Sequence, residues 1–100
     1  MEINEAVASL GALAQESRLR IFRLLVEAGP EGLAAGEIAL ELGLPGATLS
    51  FHLKELTNAE LCTSERFGRS IVYAADYRRM QRLVNYLSQN CCRRRVRRRS

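Results

Sequence analysis

Between Leu33 and Ala74 the spacing of apolar residues changes once, from the period of a helix to the period of a strand, and this change constrains the fold more than any other feature. Leu33, Ile38 and Leu42, with small alanines between them, give a short helix over Leu33–Leu42 that Gly43 stops as a left-handed cap. Pro45 then suits the first turn of a second helix whose body runs from Ala47 to Asn58. At about 100° per residue, Leu49, Leu53 and Leu56 share one face, and Ala47, Ser50, Phe51, Lys54 and Asn58 point away from it. Directly after this helix, Leu61–Arg66 and Ser70–Ala74 are β-prone segments around Phe67-Gly68-Arg69. Ile71 and Tyr73 alternate against Val72 there, which predicts a two-stranded hairpin.

The flanking segments are helical. Ile3, Val7, Leu10 and Leu13 keep one face apolar, and Leu19, Phe22, Leu25 and Val26 form a second stripe that ends at Gly29-Pro30. Asp76 caps a last helix with Met80, Leu83, Val84, Leu87 and Cys91 on one stripe. The resulting order, ααααββα, is mainly α with a small β-hairpin. It is the order of a winged helix-turn-helix, in which a helix reads a DNA groove and the hairpin forms the wing.

Length and charge fit one domain with a basic tail. One hundred residues suffice for a single core, placed here at residues 1–92. Six of the fifteen basic residues fall in residues 93–100, leaving nine basic groups against eleven acidic ones in the body, a net of −2. Blocks of like charge stay solvated, so the tail is expected to be disordered, with non-specific attraction for phosphate as its alternative role. No apolar run is long enough to cross a membrane, and Met1–Leu10 lacks the basic start of a signal peptide, so a cytoplasmic protein is expected. One histidine, no glycine-rich phosphate loop and no nucleophile elbow leave no basis for an enzyme.

Three cysteines are too few, and odd in number, for a disulfide framework. Cys91 and Cys92 are adjacent and point to metalloid or redox chemistry. Trivalent arsenic and antimony are soft, three-coordinate centres that favour thiolate, whereas zinc wants four ligands that are not visible beside the pair. As(III) or Sb(III) therefore ranks above zinc or cadmium. Cys91 also has a packing alternative as a small hydrophobe on the apolar stripe, and the pair has a redox alternative. Cys62, at the start of the first hairpin strand, is a poor third ligand and reads as a buried strand residue. A hydroxide, a small thiol or a methyl group already on the arsenic would complete the site, the last making methylarsenite an alternative inducer.

At this point the chain resembles the ArsR/SmtB family of metal-sensing winged-helix repressors. Three stretches carry the resemblance: Leu13-Ala14-Gln15-Glu16-Ser17-Arg18-Leu19-Arg20-Ile21, Thr48-Leu49-Ser50-Phe51-His52-Leu53-Lys54-Glu55-Leu56 and Gly68-Arg69-Ser70-Ile71-Val72-Tyr73. With Asn90-Cys91-Cys92 they span roughly residues 8 to 92. The resemblance implies a homodimer through the first and last helices, and an operator released on inducer binding. The family's common arsenic site, a Cys-Val-Cys on the third helix, is replaced here by Ala34 and Gly36. The closer likeness is to arsenic repressors with adjacent cysteines near the carboxyl end of the last helix.

For double-stranded operator DNA, helical angle and residue chemistry nominate six residues of the reading helix. Ala47, Ser50, Phe51 and Lys54 face outward, Thr48 lies on the flank, and His52 is equally a core histidine or a DNA contact. Arg66 and Arg69 at the wing suit phosphate or the minor groove. An alternative of another class is an interaction module that binds no DNA and uses the basic tail for acidic partners or RNA.

Overall fold

The computed structural model describes residues 1–94, so the arginine-rich tail expected over 93–100 lies, from residue 95 on, outside the described residues. Two helices come first: α1 (Ile3–Leu13), whose preceding Glu2 N–H donates to Glu5 Oε1 at 2.8 Å, and α2 (Glu16–Ala28). A Gln15 side chain caps α2 by accepting the Arg18 N–H at 2.9 Å.

The next element departs from expectation. Leu33 and Ala34 do not begin the third helix; they form a short strand, β1, and α3 runs from Ala35 to Leu42. Glu37 Oε1 takes the Ala34 N–H at 2.8 Å, which fixes the helix start one residue later. α4 (Gly46–Asn58) follows after the left-handed Gly43, with Pro45 as its N-cap rather than inside its first turn. β2 (Cys62–Phe67) and β3 (Ser70–Ala75) form the hairpin, with Cys62 opposite Ala75 and Phe67 opposite Ser70. Gly68 is left-handed at φ 62°, as the first central residue of a tight II′ hairpin turn requires. β1 pairs antiparallel with β3, Leu33 opposite Tyr73, so the expected two-stranded hairpin is a three-stranded sheet of order β1-β3-β2.

Ile21, Leu25, Ile38, Leu49, Leu53, Leu56 and Leu61 fill the core between α2, α3, α4 and the base of the hairpin. α5 (Tyr77–Ser88) is capped by Asp76, whose Oδ1 accepts the Arg79 N–H at 3.0 Å, and Tyr77 Oη donates to the Val26 carbonyl at 3.1 Å. This bond ties the start of α5 to the end of α2. Arg79 is buried against α1: its Nε donates to Ser9 Oγ at 3.3 Å and its Nη1 lies 3.4 Å from Glu5 Oε2. Arg82 reaches the other Glu5 oxygen at 3.4 Å. Held side by side in this way, α1 and α5 leave Ile3, Val7, Leu10, Val84 and Leu87 exposed. An apolar groove of about 340 Å³ opens beside them, lined by Leu13, Leu19, Phe22, Met80 and Leu83 among others.

The expected stripe of the last helix is shortened. It ends at Ser88, and Cys91 lies beyond it. Gln89 is extended at ψ 133°, and Asn90 and Cys92 adopt left-handed φ values of 62° and 63°, so the chain leaves the helix in successive turns. Among the described residues no helix is long and apolar enough to cross a membrane.

Candidate nucleic-acid interface and thiol pair

α4 is amphipathic in the expected sense. Leu49, Leu53 and Leu56 are buried, while Ala47, Thr48, Ser50, Phe51 and Lys54 are exposed, Phe51 at 57%. A large aromatic left this open on a helix rich in small and polar neighbours is a surface suited to thymine methyls and base edges. His52 lies on the other side of the divide at 8% exposure. Its Nδ1 is 3.4 Å from Arg18 Nη1, which places the imidazole on the core side of α4. The neighbouring Phe51 ring meets the imidazole edge-on, centroids 5.6 Å apart.

On the hairpin, Arg66 and Arg69 are both exposed at the tip. Phe67 stands between them at 58% exposure, a residue the sequence reading passed over as part of a turn. Its period-2 position, opposite in face to the buried Cys62, was the available signal. Cations flanking an apolar ring at a wing tip match what minor-groove proteins present to DNA.

The three cysteines separate into two environments. Cys62 is buried at the base of β2, 3.4 Å from Thr57 Oγ1, which itself donates to the Leu53 carbonyl at 2.7 Å. Burial pushes the Cys62 thiol above its usual range, against the opposing pull of the Thr57 hydroxyl. Cys91 and Cys92 are exposed, both free thiols, with their Sγ atoms 3.2 Å apart. The turn that holds them is closed by Cys91 N–H to Ser88 O and Arg93 N–H to Asn90 O, each 3.1 Å. Cys91 is exposed in the single chain and lies beyond the end of α5. Among the described residues, no third histidine, cysteine or carboxylate joins the pair in a metal-holding group. A direct consequence is selective labelling. Iodoacetamide at neutral pH is expected to modify two thiols in the folded protein and all three after unfolding, counted by intact mass. Rapid native labelling at Cys62 would contradict this assignment.

A helix-turn-helix domain model matches residues 13–65, more than half of the chain. The chain belongs to the ArsR family of helix-turn-helix transcriptional regulators. It superposes on the ArsR-like transcriptional regulator from Rhodococcus sp. RHA1 with a TM-score of 0.75 at 26% identity, covering 86% of this chain and 78% of that one. NolR from Sinorhizobium fredii is 30% identical, with a TM-score of 0.69 and coverage of 88% and 85%. The AntR antimony-specific transcriptional repressor is 26% identical, also at 0.69, with coverage of 86% and 77%. No curated protein sequence matches the chain. Family membership makes the protein a DNA-binding regulator and not an enzyme, and the helices and hairpin above are a winged helix-turn-helix. It also sets aside the module that binds no DNA.

Proposed function

We propose that the chain is a homodimeric repressor that occupies a pseudo-palindromic operator until trivalent arsenic or antimony binds Cys91 and Cys92. The observation that carries this reading is the 3.2 Å separation of two exposed, adjacent thiols. Arsenous acid would condense with both: two As–S bonds form, each thiol proton leaves with a hydroxyl as water, and the third arsenic substituent stays on. That stoichiometry needs no third side chain, and it suits methylarsenite equally, since its methyl group fills the third position. Similarity to AntR, an antimony-specific repressor, supports the metalloid class.

Operator contact is assigned to Ala47, Thr48, Ser50, Phe51 and Lys54 of α4, with Arg66 and Arg69 of the wing on phosphate or in the minor groove. The apolar residues left on α1 and α5 form the dimer surface. Because the thiols follow α5 within a few residues, closing the Asn90–Cys92 turn around arsenic acts at the end of a helix on that surface. A change there alters the spacing of the two α4 helices on the operator.

The test is an operator-release titration. A duplex enriched from a random-sequence pool by the full-length protein is titrated with arsenite, antimonite or methylarsenite. Wild type is expected to lose about tenfold or more in affinity, and Cys91→Ser and Cys92→Ser to lose that response while binding DNA normally. Serine variants that still release at the same concentration end the sensor assignment. The short sulfur separation also favours a second reading, in which hydrogen peroxide takes two electrons and two protons from the pair, giving a disulfide and two waters. Release by peroxide with no response to any of the three metalloids would select it.

A further inference from the structure

Arg18 and His52 sit where three helices meet, and their contact has a defined donor and acceptor. Arg18 lies in the first turn of α2. Its Nε donates to the Ala12 carbonyl at 2.7 Å, and its Nη1 is 3.4 Å from His52 Nδ1 on α4. Ala12 belongs to the last turn of α1, where carbonyls have no helical N–H partner. One guanidinium thus links the end of α1 to the middle of α4 while its own backbone starts α2. Leu49, Leu53 and Leu56 pack α4 against the core, and the Arg18 contacts add a directional polar link to that packing.

We infer that Arg18 and His52 are positioning residues for operator binding: the guanidinium bridge from Ala12 to the His52 imidazole sets the attitude of α4 relative to α1. This rests on the reading of α4 as the DNA-reading helix and of α1 as a dimer helix. The chemistry is restrictive, because a guanidinium has five donors and no acceptor. Nδ1 is therefore the accepting nitrogen of this contact, which assigns the ring N–H to Nε2. Further along the same path, the edge-on contact with Phe51 passes the imidazole's position to an exposed side chain on the DNA-facing side. Two α4 helices held at a fixed attitude to their α1 helices are what a two-half-site operator requires.

The experiment uses the full chain and a duplex that wild type enriches from a random pool. An Asn side chain places its carbonyl oxygen near the Nδ1 position, whereas Gln reaches the Nε2 position and leaves Arg18 without its acceptor. His52→Asn is expected to keep specific affinity within about twofold of wild type. His52→Gln, Arg18→Ala and Arg18→Lys are expected to lose about tenfold, Lys because one ammonium cannot span both acceptors. Affinity for a scrambled duplex should stay unchanged in all four, which a merely unfolded fraction would not allow. Long-range 1H–15N spectra of wild type should show the proton on Nε2, and this measurement stands even where a variant fails to fold. A proton on Nδ1, or equal affinities for His52→Asn and His52→Gln, overturns the inference alone. A wild-type chain that enriches no duplex overturns the DNA reading beneath it as well.

Discussion

Gly32→Ala is expected to be the most damaging single-methyl addition in this protein, costing about 3 kcal/mol or more of stability and lowering the melting temperature by roughly 12 °C or more. A Cβ built at Gly32 would stand 2.2 Å from the Tyr73 carbonyl oxygen and 2.9 Å from its carbon, with Val72 Cγ1 at 3.1 Å. The first two atoms are backbone of β3 and have no rotamer to escape into. Gly32 also has φ +73°, a conformation that costs an L-residue about 1–2 kcal/mol before any clash is counted. Relief requires β1 to leave β3, breaking the pairs Leu33–Tyr73 and Ala34–Val72 and freeing the chain that leads into α3. Gly36→Ala is the control. It lies within α3 with nothing inside 4 Å of the added carbon, and is expected to be neutral or stabilising by up to about 1 kcal/mol. Melting followed by circular dichroism at one fixed protein concentration compares the two. A Gly32→Ala protein that melts within a few degrees of wild type would show that β1 contributes little to the fold.

Why the sequence reading found α4 and missed β1 follows from the range of the forces that make each. The face of α4 is written in local spacing: Leu49, Leu53 and Leu56 fall on one side of any helix drawn through them, and Pro45 and Gly43 mark where it starts. The hairpin is local too, its partners separated only by a tight turn. β1 has two residues, too few for a period, and exists because Tyr73 and Val72, far along the chain, offer it a free edge. Local spacing placed His52 at the boundary of the core, and its contact with Arg18, thirty-four residues away in sequence, is one that local spacing cannot carry. Arg79 is a parallel case, a charged residue buried by Ser9 and Glu5 of α1. The thiol pair was visible as adjacent letters. Its position outside α5 was not, because the apolar spacing runs on to Cys91 while the backbone turns left-handed at Asn90.

Val7→Glu combined with Leu87→Glu is expected to convert the protein to a monomer and to lower specific operator affinity by about a hundredfold or more, with the fold of each chain retained. Val7 is 60% exposed on α1 and Leu87 60% on α5, and Ile3, Leu10 and Val84 extend the same surface at 64%, 41% and 50%. Side chains this apolar and this open, on two helices joined by Arg79 and Glu5, favour association with a matching surface. A second copy of the chain offers one by symmetry. Two carboxylates per subunit would be desolvated without partners on closing that interface, a cost that prevents association. Neither substituted residue belongs to the buried core, so circular dichroism should be unchanged. DNA affinity falls because a dimer binds its second half-site at high effective concentration, and a monomer forfeits that gain of about 10²–10⁴. Sedimentation equilibrium reads the mass, and titration of the enriched duplex reads the affinity. A variant that stays dimeric would place the interface elsewhere. A monomeric variant with wild-type affinity would mean that each α4 and wing reads its site alone, and that the metalloid signal cannot act by respacing two of them.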